Sequence, residues 1–255
     1  MKLNRPSLSE RYLEAIANTL IRQQRPLILL TGAGFSNEVM PTTSELEPLL
    51  SRLLADAGIT LNKKETKNSK AVWQLIKKRE SLFKQIFAAW CARINVAPQH
   101  RIVAQMFYHG QITHLISFNW DNLIEKAYFA IYKQQIPKVN REGIIPKGPC
   151  LWKLHGDVED LAGKWVFPYE EGQIFKSLLI SLERSLAEYC PRFALIVGYS
   201  ESEAIVRNKL IRWLEENIET VLRIHPSLDE VRQKGLALSA DDFFERLNNH
   251  LQYKT

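Results

Sequence analysis

The sequence predicts an α/β protein, a parallel sheet with helices on both faces. Two observations carry that prediction. Apolar runs of strand length stand at Leu27–Leu30, Ile112–Phe118, Cys150–Leu154, Trp165–Phe167, Phe193–Val197 and Val221–Ile224, and the first is continuously apolar, as strands covered on both faces are. Helical periodicities alternate with these runs, which is the pattern of a parallel sheet. With 255 residues, 45% of them hydrophobic, the chain can bury one substantial core and carry a small inserted lobe.

Residues 8–24 read as an amphipathic helix, with Leu8, Tyr12, Leu13, Ile16, Leu20 and Ile21 recurring at helical spacing. Pro26 punctuates, and the first strand follows. A glycine-bearing turn then leads into a helix that starts near Thr43 and stops before Gly58. Residues 60–110 hold helical patterns without a convincing strand. This predicts a helical insertion over about 43–110 within a single domain of 1–255. Further helices are expected at 121–133, 172–189, 203–217 and 240–252. The last opens with Ser239-Ala240-Asp241-Asp242, which has capping-box form.

The formal net charge of +6 is uneven. Residues 61–93 carry nine Lys and Arg against Glu65 and Glu80, which leaves the remainder close to neutral. Such a patch suits a polyanion or an acidic partner, or is simply a solvated helical face, and nucleic-acid binding is not established by it. Trp73, Phe83, Phe87 and Trp90 lie at helical spacing within it and read as core. Cys91, Cys150 and Cys190 are few and far apart, so neither a disulfide framework nor a paired CxxC zinc site is encoded. No apolar run approaches the roughly 20 residues that span a bilayer, and no N-terminal stretch has signal-peptide form. The expectation is a soluble, cytoplasmic protein without a membrane partner.

Three segments close apolar runs: Thr31-Gly32-Ala33-Gly34-Phe35-Ser36, Ser117-Phe118-Asn119-Trp120-Asp121 and Leu154-His155-Gly156. In an open α/β sheet the carboxyl ends of the strands form the ligand crevice, so these segments converge on one site. Glycines after a strand let the backbone approach a ligand, and turn amides bind phosphate oxygens. The dinucleotide fingerprint G-x-G-x-x-G is broken at Asn37, and no acidic residue follows on a second strand about 20 residues on, which disfavours a dehydrogenase. Asn119 or Asp121 could equally cap the next helix, and His155 could be a satisfied histidine at the core edge. A lone histidine near neutral pKa is also what a general base requires.

Gly32-Ala33-Gly34-Phe35-Ser36, Asn119-x-Asp121, Leu154-His155-Gly156 and Gly198-Tyr199-Ser200, in this order and spacing, resemble the sirtuin superfamily over residues 26–225. The resemblance implies a Rossmann-like fold with a smaller inserted lobe, and NAD as substrate. It assigns Gly32, Ala33, Gly34, Phe35 and Ser36 to the NAD phosphates and adjoining ribose. Asn119 would hold the water or ribose hydroxyl at the reacting face, Asp121 would lie near the nicotinamide carboxamide, and His155 would be the general base. Gly198, Tyr199 and Ser200 would contact the adenosine half.

The departures from the deacylase pattern are specific. The paired CxxC zinc motif is absent, Phe118 stands where deacylases carry Gln, Met40-Pro41-Thr42 replaces their Gly-Ile-Pro-Asp-Phe-Arg stretch, and Tyr199 replaces Thr. These changes resemble the zinc-free sirtuin-like NADase domains of bacterial antiphage systems. That resemblance implies a metal-free NAD⁺ hydrolase yielding ADP-ribose and nicotinamide, regulated by homo-oligomerisation or an activating partner protein. Two alternatives stay open: a zinc-free deacylase or ADP-ribosyltransferase, and a non-catalytic sensor of NAD or ADP-ribose.

Overall fold

A computed structural model describes residues 7–22, 26–56, 68–140, 147–170, 176–189, 192–200, 203–228 and 235–252. Residues 23–24 and 172–175 of two expected helices, Lys63, Lys64, Glu65 and Lys67 of the basic run, and Cys190 lie outside them.

The strands are β1 (Leu27–Thr31), β2 (Ile112–Ser117), β3 (Lys138–Val139), β4 (Cys150–Lys153), β5 (Phe193–Val197), β6 (Thr220–Ile224) and β7 (Gly235–Leu236). They form one sheet in the order β3-β4-β2-β1-β5-β6-β7, and every pairing is parallel. All five β1 residues are buried, as their position between two neighbours and two helical layers demands. Side chains alternate across the pleat: Leu27 and Leu29 enter one core, Ile28 and Leu30 the other. The first core is covered by α1 (Leu8–Arg22), α5 (Pro98–Tyr108), α6 (Leu123–Tyr132) and α10 (Ala240–Gln252). The second is covered by α7 (Lys176–Tyr189) and a continuous run of α8 (Ala204–Val206), a π-helical turn (Arg207–Ile211) and α9 (Arg212–Asn217). This is the parallel α/β architecture the pattern predicts, in the Rossmann-like form the resemblance implies.

Two expectations are corrected. Trp165–Phe167 is not a strand: Trp165 and Phe167 turn into an aromatic cluster, and only Val166 N makes a sheet-like bond, to the His155 carbonyl. β3 and β7 are two residues long, too short to show a period, and the sequence reading missed both.

A third core holds the inserted helices. α2 (Thr43–Asp56), α3 (Ser69–Lys77) and α4 (Glu80–Arg93) bring Leu46, Leu50, Trp73, Ile76, Phe83 and Phe87 together with Trp165, Phe167 and the flank of Trp120. α5, inside the predicted insertion, instead packs Val103, Met106 and Phe107 into the first sheet core. The basic run is partly neutralised within the lobe. Lys84 is buried, 2.5 Å from Glu80, and donates to the Gly163 carbonyl, while Lys77 pairs with Glu80 and Glu170.

Candidate functional site

β1 is flanked by β2 on one side and β5 on the other, so the chain reverses its direction of sheet growth between β1 and β5. Loops diverge at such a switch point and leave a crevice at the carboxyl ends. A cleft of about 610 Å³ opens there, roofed by α2 and the loop after β4. Ala33, Gly34, Ser36, Asn119, Asp121, His155, Gly198, Tyr199 and Ser200 all line it. Gly32 and Phe35 do not. The Phe35 ring is buried edge-on to His100 and Phe244, within the first core.

The glycines of the first turn have a different physical reason from the one expected. Gly198 sits in the left-handed region at φ +63°, and a Cβ there would lie 2.2 Å from Phe35 N and 2.4 Å from the Gly34 carbonyl carbon. Gly34 N donates back to the Gly198 carbonyl at 2.9 Å. The two loops therefore close on each other, backbone to backbone. Gly32, Phe35 and Ser36 amides also donate within this structure, so most of the turn's N–H groups already have partners and the Ala33 amide is not among them. A side chain on Gly34 would meet Gly198 at 2.9 Å before it met any ligand.

Ser36 organises the floor. His100 is fully buried on α5, and its Nδ1 accepts the Ala97 N–H at 3.2 Å, so the ring proton is on Nε2. Nε2 donates to Ser36 Oγ at 3.1 Å, Asn119 Nδ2 donates to the same oxygen at 3.4 Å, and Ser36 Oγ donates to Asp121 Oδ2 at 3.2 Å. Burial holds the His100 pKa below the ordinary imidazole value, against the pull of Asp121. Because its Nε2 carries a proton, His100 cannot deprotonate Ser36. The triad is a positioning network for the Asn119 and Asp121 side chains. Asp121 Oδ1 also accepts Leu123 N at 3.1 Å, so Asp121 caps α6 and faces the cleft at once.

Beneath that turn lies a buried charge cluster. Lys153 Nζ donates to the Asp121 carbonyl at 2.5 Å and lies 3.6 Å from Glu125. Burial pushes the Glu125 carboxyl up to about 7 even with Lys153 and Lys138 nearby. Glu125, Asp157 and Glu159 are close enough to share a cation, but Lys138 Nζ lies 2.6 Å from Asp157 and from Glu159 and fills that role.

His155 follows β4. Gly156 beside it has φ +118°, and a Cβ there would strike Trp165 at 2.8 Å, which is why glycine follows the histidine. The imidazole packs edge-on to Phe118, whose ring stacks on Tyr199 at 4.6 Å. Nε2 lies 3.1 Å from Glu203 Oε2 but out of hydrogen-bond alignment. His100, Lys153 and Glu203 escaped the sequence reading. Pro98 and His100 at a helix start were the one local signal, and nothing local marks burial beside Ser36.

Among the described residues, the cleft lining contains Glu47, Asp121, Glu170 and Glu203 and no Lys or Arg. An anionic group bound here would rely on backbone and hydroxyl donors. Among the described residues, no helix is long and apolar enough to cross a membrane.

Known structures share this architecture. A structure described for the mechanism and regulation of Sir2 enzymes aligns over 98% of this chain and 99% of that chain, with a TM-score of 0.60 and 14% identity. A mutant Sir2 homologue in complex with ADP-ribose aligns over 96% and 97%, with a TM-score of 0.61 and 17% identity. A Sir2 homologue–NAD complex aligns over 97% and 95%, with a TM-score of 0.58 and 15% identity. No curated protein matches the chain. The SIR2-like domain family model matches residues 113–250, more than half of the sequence and the stretch that carries Asn119, Asp121, His155 and Gly198. With its strand-end motifs gathered at one crevice and that match across them, the chain belongs to the SIR2-like domain family.

Proposed function

We propose that this protein is an NAD⁺ glycohydrolase that cleaves the nicotinamide–ribose bond to give ADP-ribose and nicotinamide without a metal. The observation that carries the reading is the meeting of two groups in one cleft: the Asn119 amide, held by Ser36, and the His155 imidazole. In the reaction the C1′–N bond breaks, nicotinamide leaves as a neutral molecule with the bonding pair, and water adds to C1′. The transition state is oxocarbenium-like, as in glycoside hydrolysis. Asn119 orients the water or a ribose hydroxyl, and His155 takes the proton that water loses. A positioned base of this kind contributes roughly 10²–10⁴-fold. The carboxylate-lined cleft favours the cationic nicotinamide ring, while the Ala33 amide and the Ser200 hydroxyl serve the diphosphate. The NAD and ADP-ribose complexes of the similar Sir2 homologues support the choice of ligand.

Following the resemblance to antiphage NADase domains, we read the enzyme as a cytoplasmic defence effector held inactive until it assembles or meets a partner. Purified protein incubated with NAD⁺ alone, at low and high protein concentration, tests this. Release of nicotinamide and ADP-ribose, absent in the His155→Ala and Asn119→Ala variants that still bind NAD⁺, is the expected result. Turnover that requires an acylated peptide would indicate a deacylase, and binding without turnover a sensor.

A further inference from the structure

Of the four carboxylates that line the cleft among the described residues, three are engaged. Glu47 Oε1 accepts Trp73 Nε1 at 2.9 Å, Asp121 accepts Ser36 and Leu123 N, and Glu170 Oε2 accepts Phe167 N at 3.0 Å beside Lys77. Glu203 differs. It stands at the N-cap of α8, yet its side chain accepts no helix amide there. The carboxylate turns into the cleft instead, 3.1 Å from His155 Nε2, with the glutamate side chain 27% and the imidazole 10% exposed. Nε2 itself is closed to solvent.

We propose that Glu203 is the positioning residue for His155, holding the Nε2–H of its imidazole so that Nδ1 is the nitrogen presented to the reacting water. The inference deepens the hydrolase reading and rests on it for its catalytic part. A carboxylate at one ring nitrogen sets the tautomer and ring orientation, and it stabilises the imidazolium once the other nitrogen has taken a proton. A buried Nε2 cannot receive a proton from cleft water, so the proton arrives at Nδ1 and the pair becomes imidazolium–carboxylate.

The π-helical turn that follows α8 has a bearing on this. Single π-helical turns inside α-helices occur frequently at functional sites. Here the turn at Arg207–Ile211 lies one helical step beyond Glu203, whose carbonyl accepts Arg207 N at 3.0 Å.

The test has a structural arm and a kinetic arm. His155 ring nitrogen resonances, assigned by their loss in His155→Ala, are recorded by NMR in the wild type, Glu203→Leu and Glu203→Asp, where their chemical shifts tell which ring nitrogen carries the proton. The wild type should hold the proton on Nε2, Glu203→Leu should give a mixture of the two tautomers, and Glu203→Asp should lie between them. With NAD⁺, kcat of Glu203→Leu should drop about tenfold or more while KM changes little, with partial recovery in Glu203→Asp. An unchanged tautomer ratio overturns the pairing, whether or not the protein turns over NAD⁺. A changed ratio with no wild-type turnover keeps the pairing and removes the hydrolase reading. A changed ratio with unchanged kcat overturns the positioning role.

Discussion

The indole N–H of Trp120 donates to the main-chain carbonyl of His155 at 3.0 Å and to that of Val166 at 3.2 Å. Trp120 lies between Asn119 and Asp121, so one side chain ties the turn after β2 to the segment that carries the histidine. Its ring stacks on Trp165 at 5.5 Å and packs against Trp73, Phe83 and Phe87 of the inserted helices. Trp120 thus joins α3 and α4 to the segments that carry Asn119 and His155.

Trp120→Phe keeps an aromatic ring in the cluster but takes the donor from the Val166 carbonyl and leaves the His155 carbonyl with Val166 N alone. Stability should fall by about 2 kcal/mol, within the usual cost of unsatisfied buried polar groups. Chemical denaturation measures the loss, and NAD⁺ turnover should fall by more than the folded fraction does.

Gly198→Ala should abolish ligand binding and destabilise the fold, because its Cβ would collide with the backbone of Phe35 and Gly34. Gly110→Ala is the control. Gly110 has a similar positive φ of +70° but open space around it, so only the conformational cost of about 1 kcal/mol applies. Thermal melts and NAD⁺ binding of the two variants separate collision from strain.

Lys153→Met removes the donor to the Asp121 carbonyl and the cation beside Glu125. At pH 8 the loss should approach about 3 kcal/mol, the scale for breaking a buried pair. Below pH 7 the loss should shrink, because Glu125 takes up a proton there and needs no counter-ion. Urea unfolding at both pH values checks this.

Glu125→Gln isolates the same carboxyl in the pH dependence of stability. Raised by burial from 4.5 to about 7, Glu125 binds more protons in the folded chain than in the unfolded one. Its contribution therefore favours the fold at low pH and is lost as pH rises from about 4.5 to 7. Buried His100 and His114, both depressed by burial, slope the other way, His114 to about 4. The variant should gain on the wild type between pH 5 and 7 in Tm, whatever the absolute slope.

Ser36→Ala should lower turnover without unfolding the protein. The Asn119 amide and His100 Nε2 would both lose their acceptor, and Asp121 Oδ2 its donor. Loss in kcat with a small change in KM is expected from steady-state kinetics, since the defect is in orientation rather than contact.

The sheet and the position of its crevice were legible in the chain itself. Continuous apolar runs report burial on both faces, and polar or glycine residues that end such runs report where strands stop, so Gly34, Asn119, His155 and Gly198 could be gathered at one edge without coordinates. Periodicity records how deeply a residue is buried and not what it is buried against. That is why Trp165–Phe167 read as a strand when its rings belong to the lobe's aromatic cluster. The partnerships that tune the site join distant segments: His100 to Ser36 across 64 positions, Lys153 to Asp121 across 32, and Glu203 to His155 from another loop. Local sequence determined which groups reach the crevice. Only the tertiary fold decided which nitrogen carries each proton, which amides are already engaged, and which carboxylate is left facing the histidine, because those depend on distances that no spacing along the chain encodes.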